Sequence, residues 1–110
     1  MRIIDVPFAV TDWSTLPETT RPGATGTVSQ RHFEQGNIRV RMVRYSPGYL
    51  ADHWCERGHV LLVLDGELTT ELSDGSLHVL RAGTSYQVAD GAAPHRSRTG
   101  ASGATLFIVD

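Results

Sequence analysis

No part of this sequence sustains a helical hydrophobic period, which excludes a helical core before any motif is read. Apolar residues come in short runs cut by glycine, proline and Asp-Gly pairs, with a turn signal about every eight to twelve residues. The runs predict strands over 26–31, 38–45, 51–55, 59–64, 67–72, 77–80, 85–88, 95–98 and 105–109. Many short strands at this spacing point to an all-β sandwich or barrel. Residues 59–64 (His-Val-Leu-Leu-Val-Leu) are apolar on both faces, as a strand packed on two sides would be. Asp65-Gly66 and Asp74-Gly75 predict hairpin turns, because both residue types tolerate positive φ.

Residues 1–25 differ in character. Pro7, Pro17 and Pro22 predict an irregular N-terminal arm anchored by Ile4, Val6, Phe8 and Trp13, ahead of a barrel spanning 26–110. Such an arm either covers an open sheet edge of its own subunit or crosses to a partner, the second solution making a homodimer. A chain of 110 residues suits one domain. Net charge −2 and the absence of lysine leave no basic footprint for nucleic acid. No apolar stretch approaches membrane-spanning length, so no membrane partner is expected. The single cysteine, Cys55, cannot form an intrachain disulfide; with no leader-like N-terminus, the expected location is the cytoplasm.

Chemistry concentrates in four residues. His53, Cys55 and His59 fall within one short segment, and His95 lies well downstream. In a strand, His53 and Cys55 would share a face, with Asp52 and Trp54 opposite. Imidazole and thiolate are the donors that hold zinc, iron, nickel or copper, whereas magnesium and calcium want oxygen. The four residues are therefore a candidate site for a divalent transition metal, with a small barrel bringing His95 to the other three. Cys55 has a second reading, as a small buried hydrophobe beside the metal.

These residues resemble the cupin superfamily. The first half of its pattern runs Gly, spacer, His-x-His, three or four residues, Glu, six residues, Gly. Here Gly48 is followed by His53-Trp54-Cys55, then His59, then Gly66, with Cys55 at the second His position and His59 at the acidic one. In the second half, Gly83 leads to Ala89-Asp90-Gly91, then His95, with Ala89 replacing a proline and Thr99 the terminal Asn. The match is similar to small uncharacterised bacterial cupins with an Asp-His-Cys-Trp-type motif, spelled here Asp52-His53-Trp54-Cys55. The resemblance implies a single-domain cupin-type jelly-roll β-barrel. It also implies dioxygenase, isomerase or epimerase chemistry on a small polar molecule in the cavity. The alternative is a non-catalytic small-ligand-binding or sensor module, its metal structural or absent; a third is an interaction domain with the old site unused.

Other residues carry paired readings. Tyr86, in the strand before His95, is either a proton donor at the cavity or a core tyrosine with its hydroxyl at the rim. Arg39 and Arg41 share one strand face and could bind a carboxylate or phosphate inside the barrel. The preferred reading puts them on a solvated outer face, with Ile38, Val40 and Met42 inward. Arg96 and Arg98 flank His95 and are equally open. Trp54 is expected under the arm or in a subunit interface. His32 and His78 lack a partner at ligand spacing and are expected at the surface.

Overall fold

A computed structural model describes residues 1–110. A 3-10 turn at Trp13–Thr15 precedes seven strands: β1 (Thr19–Pro22), β2 (Thr27–Gln35), β3 (Ile38–Tyr45), β4 (His59–Leu72), β5 (Leu77–Arg81), β6 (Ser85–Val88) and β7 (His95–Val109). Hydrogen bonding runs β1-β2-β3-β7-β4-β5, with β6 also on β4, and every pair is antiparallel.

Two long strands organise this arrangement. The first part of β4 pairs β6 (His59↔Val88 to Leu62↔Ser85), and its second part pairs β5 (Glu67↔Arg81 to Glu71↔Leu77). Its partner β7 does the same, giving Leu106 to Val109 to the first part of β4 and His95 to Thr99 to the second. Register shifts at Val63/Asp65 and Gly66/Leu68 mark the corner between them. The Asp65-Gly66 pair therefore makes a bulge, not the expected hairpin. Gly66 (φ 77°) faces Gly103 (φ 62°) so closely that a Cβ on Gly66 would strike the Gly103 carbonyl. Positive φ serves a hairpin or a bulge equally, and the long-range pairing with β7 decides between them. The same pairing joins the expected strands 95–98 and 105–109 into one. Asp74-Gly75 does form its hairpin, with Gly75 N–H donating to Leu72 O at 2.9 Å.

The core is built mainly from β3, β4 and β7. Leu61, Val63, Leu68 and Leu106 are at most 1% exposed, with Val43 and Ile108 close behind. The two-sided burial expected of 59–64 holds on one face only: Val60 and Leu64 remain exposed beside buried Leu61 and Val63.

The arm folds back on its own chain. Asn37 accepts from Ile4 N–H at 2.8 Å and donates to Arg2 O at 2.7 Å, while β1 extends the edge of β2. Of the expected anchors, Trp13 packs edge-on against Phe107 and Val6 is half-buried; Ile4 is exposed, and Phe8 is 96% exposed. Polar ties to Asn37 hold the first residues where apolar anchors were expected.

Residues 51–55 depart from the expected strand. Isolated bridges flank them, Leu50 to Thr25 and Arg98, and Cys55 to His95, with a bend at 52–53 between. Residues 51–55 therefore form no regular strand, although Ala51, His53 and Cys55 still line one cavity. No helix is long and apolar enough to cross a membrane.

Candidate metal centre

Backbone pairing brings the ligand types together. Cys55 N–H donates to His95 O at 2.8 Å and His95 N–H to Cys55 O at 2.9 Å, a mutual pair that places the residues directly opposite. The segment from Cys55 to His59 is then clipped to the turn after β6. Gly58 N–H donates to Asp90 Oδ1 at 2.6 Å, and Gly91 N–H to Glu56 O at 2.8 Å. Gly58 is needed for this approach, since a Cβ there would lie 2.6 Å from Asp90 N. His59 follows at the start of β4, beside Tyr86 of β6. Thr99, at the family's Asn position, ties the far end: its hydroxyl donates to Ser46 O at 2.6 Å and accepts from Tyr49 N–H at 3.0 Å.

Ligand atoms of Cys55, His59 and His95 all lie within 4.8 Å of one another. Nε2 of His59 and Nε2 of His95 stand 3.0 Å apart, with the Tyr86 hydroxyl 2.8 Å from His59 Nε2. His53 lines the same cavity but stands outside this group; its Nδ1 lies 2.7 Å from Asp52 Oδ1, and both side chains are 62% exposed.

Proton bookkeeping decides what the two imidazoles can hold. Ala93 O can only accept, so the 2.8 Å contact with His95 Nδ1 puts the proton on Nδ1 and leaves Nε2 a lone pair. Burial pushes the His95 pKa down, the Ala93 carbonyl works against that, and His59 adds to the fall, a balance that favours the neutral ring. His59 Nδ1 is buried without a hydrogen-bond partner, and Asp110 Oδ2 lies 3.7 Å away. A proton on Nδ1 faces that carboxylate favourably, and then two Nε2 lone pairs meet at 3.0 Å. The opposite tautomer would aim a lone pair at a carboxylate. Two converging imidazole lone pairs, one ring held from behind by the Ala93 carbonyl and the other facing the Asp110 carboxylate, resemble the arrangement of metal-ligating histidines. Nitrogens at tetrahedral angles around zinc stand about 3.3 Å apart, so the residues fit a metal of this kind.

Asp110, which the sequence reading passed over, anchors this back side. Its side chain is fully buried and takes Arg39 Nε and Nη2 at 3.1 Å each and Arg41 Nη2 at 2.9 Å. Burial would push its carboxyl up; His59, Arg39 and Arg41 outweigh this and hold it well below the ordinary carboxylate range. The outer-face reading of Arg39 and Arg41 is therefore reversed. They share a face with buried Val43, while exposed Arg44 points outward to Glu18. Alternation alone mis-set the phase because the other face is itself half-covered: Met42 pairs with Phe107, on which Trp13 packs.

A cavity of about 80 Å³ adjoins the group, lined by all four predicted ligands, Tyr86 and Arg41 among others. Burial pushes the Tyr86 pKa up, keeping the hydroxyl protonated. Trp54, 42% exposed, lies beneath the Arg96 guanidinium at 4.8 Å, and Arg96 also binds Glu71. Arg98, His32 and His78 are exposed.

No protein-family model and no curated protein matches the chain. Solved structures do. An RmlC-like cupin from Shewanella frigidimarina superposes with TM-score 0.73 at 17% identity, covering 94% of this chain and 89% of the other. A sugar phosphate isomerase from a cupin superfamily, from Silicibacter pomeroyi, gives 0.70 at 19% identity over 92% and 74%. An Fe(II)-bound HppE gives 0.75 at 14% identity over 94% and 60%. The chain has the cupin fold.

Proposed function

We propose that the chain binds one divalent transition metal through Cys55, His59 and His95, and acts as an enzyme on a small polar molecule in the adjoining cavity. The carrying observation is the pair of Nε2 atoms 3.0 Å apart, with Ala93 O and Asp110 behind the two rings. A thiolate with two imidazoles suits zinc, iron, nickel or copper, and three protein ligands leave a coordination position for another molecule. His53, at the cavity, is a further donor beside that position. When bound, the metal would supply Lewis-acid polarisation of a substrate oxygen, or redox chemistry if iron.

The remaining roles belong to the chain itself. Asp110 and the Ala93 carbonyl orient the two imidazoles. Tyr86, hydroxyl 2.8 Å from His59 Nε2, is the proton donor nearest the reacting end. Dioxygenase- and isomerase-like chemistry are the two classes carried forward; the isomerase among the structural neighbours supports the second, and the Fe(II)-bound neighbour supports a metal.

Elemental analysis of the purified chain tests the metal, with His95→Ala as the variant expected to lose it. Screening small polyols and amino acids then tests turnover, and Tyr86→Phe is expected to keep the metal while losing turnover. A second reading is a non-catalytic binding or sensor module, favoured by the smallness of the cavity. It predicts saturable ligand binding without turnover at full metal occupancy. A homodimer belongs to the same proposal, and sedimentation would decide it.

A further inference from the structure

The cavity carries more positive charge than its own acids neutralise. Asp110 serves two guanidinium groups at once: Arg39 spends Nε and Nη2 on it, and Arg41 spends Nη2. Arg41 is left short. Its side chain is 13% exposed, its Nε is buried without an acceptor, and its Nη1 has only Gln30 Oε1 at 3.5 Å. A contact that long is marginal as a hydrogen bond.

Arg41 lines the cavity, and so does Arg21 from β1, which makes no ion pair and no side-chain hydrogen bond. Both cations bear on Tyr45, whose hydroxyl is pushed up by burial and pulled back first by Ser97, then by Arg41 and Arg21. Arg96 reaches the cavity too, but Glu71 and the face of Trp54 already occupy it. No Asp or Glu lines the cavity.

We propose that this cavity binds a small carboxylate, with Arg41 as its anchor and Arg21 as a second cation at the mouth. Rested on the metal reading, this names the substrate class of the same site: an acid whose carboxylate sits on the arginines and whose other end meets the cysteine-histidine group. A guanidinium with unspent donors in a water-poor site holds a carboxylate strongly, because the hydrogen bonds are charge-assisted. The apolar walls, Val28, Val43 and Ile108, suit a short carbon skeleton. With a volume of about 80 Å³ the cavity suits an acid of a few carbons and not a phosphorylated sugar.

The test is calorimetric titration of the whole chain, its metal content measured on the same sample, with malonate and succinate, their diamides, and inorganic phosphate. The expected result is saturable, one-site binding of at least one acid and none of the diamides. Arg41→Lys should weaken it about ten-fold or more, since it removes the planar donors and keeps the charge. Arg41 also braces Asp110, so Arg21→Gln, at an exposed position, supplies a variant that folds regardless. It should weaken binding about three-fold and leave metal content unchanged. Binding of no acid in the series, equal binding of the diamides, phosphate in place of the acids, or affinity unmoved by both substitutions would overturn the proposal. Arginine-dependent acid binding by a chain that takes up no metal would uphold it and sink the metal reading; full metal with no acid binding would do the reverse.

Discussion

His59 and His95 present their Nε2 atoms to one another across 3.0 Å, each from a ring whose Nδ1 faces an acceptor. Nothing in the protein satisfies both lone pairs, except that the Tyr86 hydroxyl can donate to His59. With both Nε2 atoms unprotonated the arrangement costs stability until a proton or a metal ion lies between them. The backbone geometry that creates it, the Cys55–His95 pair and the Gly58–Asp90 clip, lies outside regular strand pairing.

Removing the carboxylate behind His59 should loosen both the site and the fold. Asp110→Asn leaves Arg39 and Arg41 without their shared anion and should destabilise the chain by about 3 kcal/mol, read by urea unfolding at neutral pH. It should also weaken metal affinity about 10- to 100-fold, read by competition with a chelator. Unchanged affinity in a folded variant would remove Asp110 from the site.

The same group sets the acid limit of stability. Its folded pKa lies below its unfolded value, so its contribution is complete above the ordinary carboxylate range and is lost as pH falls through that range toward the folded value. Wild-type unfolding free energy should therefore fall between about pH 5 and pH 2, and Asp110→Asn should flatten part of that fall. Parallel curves for the two proteins would contradict the assignment.

Gly58→Ala tests the clip. The new Cβ would meet Asp90 N at 2.6 Å, a backbone contact that cannot swing aside, and should cost about 1–3 kcal/mol. Metal affinity should drop with it, because the strain falls one residue before His59. Gly75→Ala is the control: its strain is set by φ 89° alone, in a hairpin away from the site, and metal affinity should be unmoved.

Much of this was legible in the sequence, for physical reasons. The turn-punctuated apolar runs located β3 and β6 to the residue, and the cupin-like spacing picked out His59 and His95. The Asp65-Gly66 corner was not legible, because its positive φ is common to two structures and β7 chooses between them. Nor was the absence of His53 from the close group of Cys55, His59 and His95, since the expected strand over 51–55 is a bend between isolated bridges. Arg41 and Asp110 escaped for a related reason. A carboxylate far from its arginines in sequence meets them only when β7 lies on β3, and an arginine on an alternating strand reads as solvent-facing until that partner is known.

The central claim is a metal held by Cys55, His59 and His95. It is tested most directly by loading the chain with Co(II) and recording its stoichiometry and absorption spectrum beside those of Cys55→Ala, His95→Ala and His53→Ala. The expected result is about one ion per chain, a thiolate-to-cobalt band lost in Cys55→Ala, no retention in His95→Ala, and near wild-type stoichiometry in His53→Ala. No stoichiometric uptake by the wild type, or uptake indifferent to His95, would contradict it.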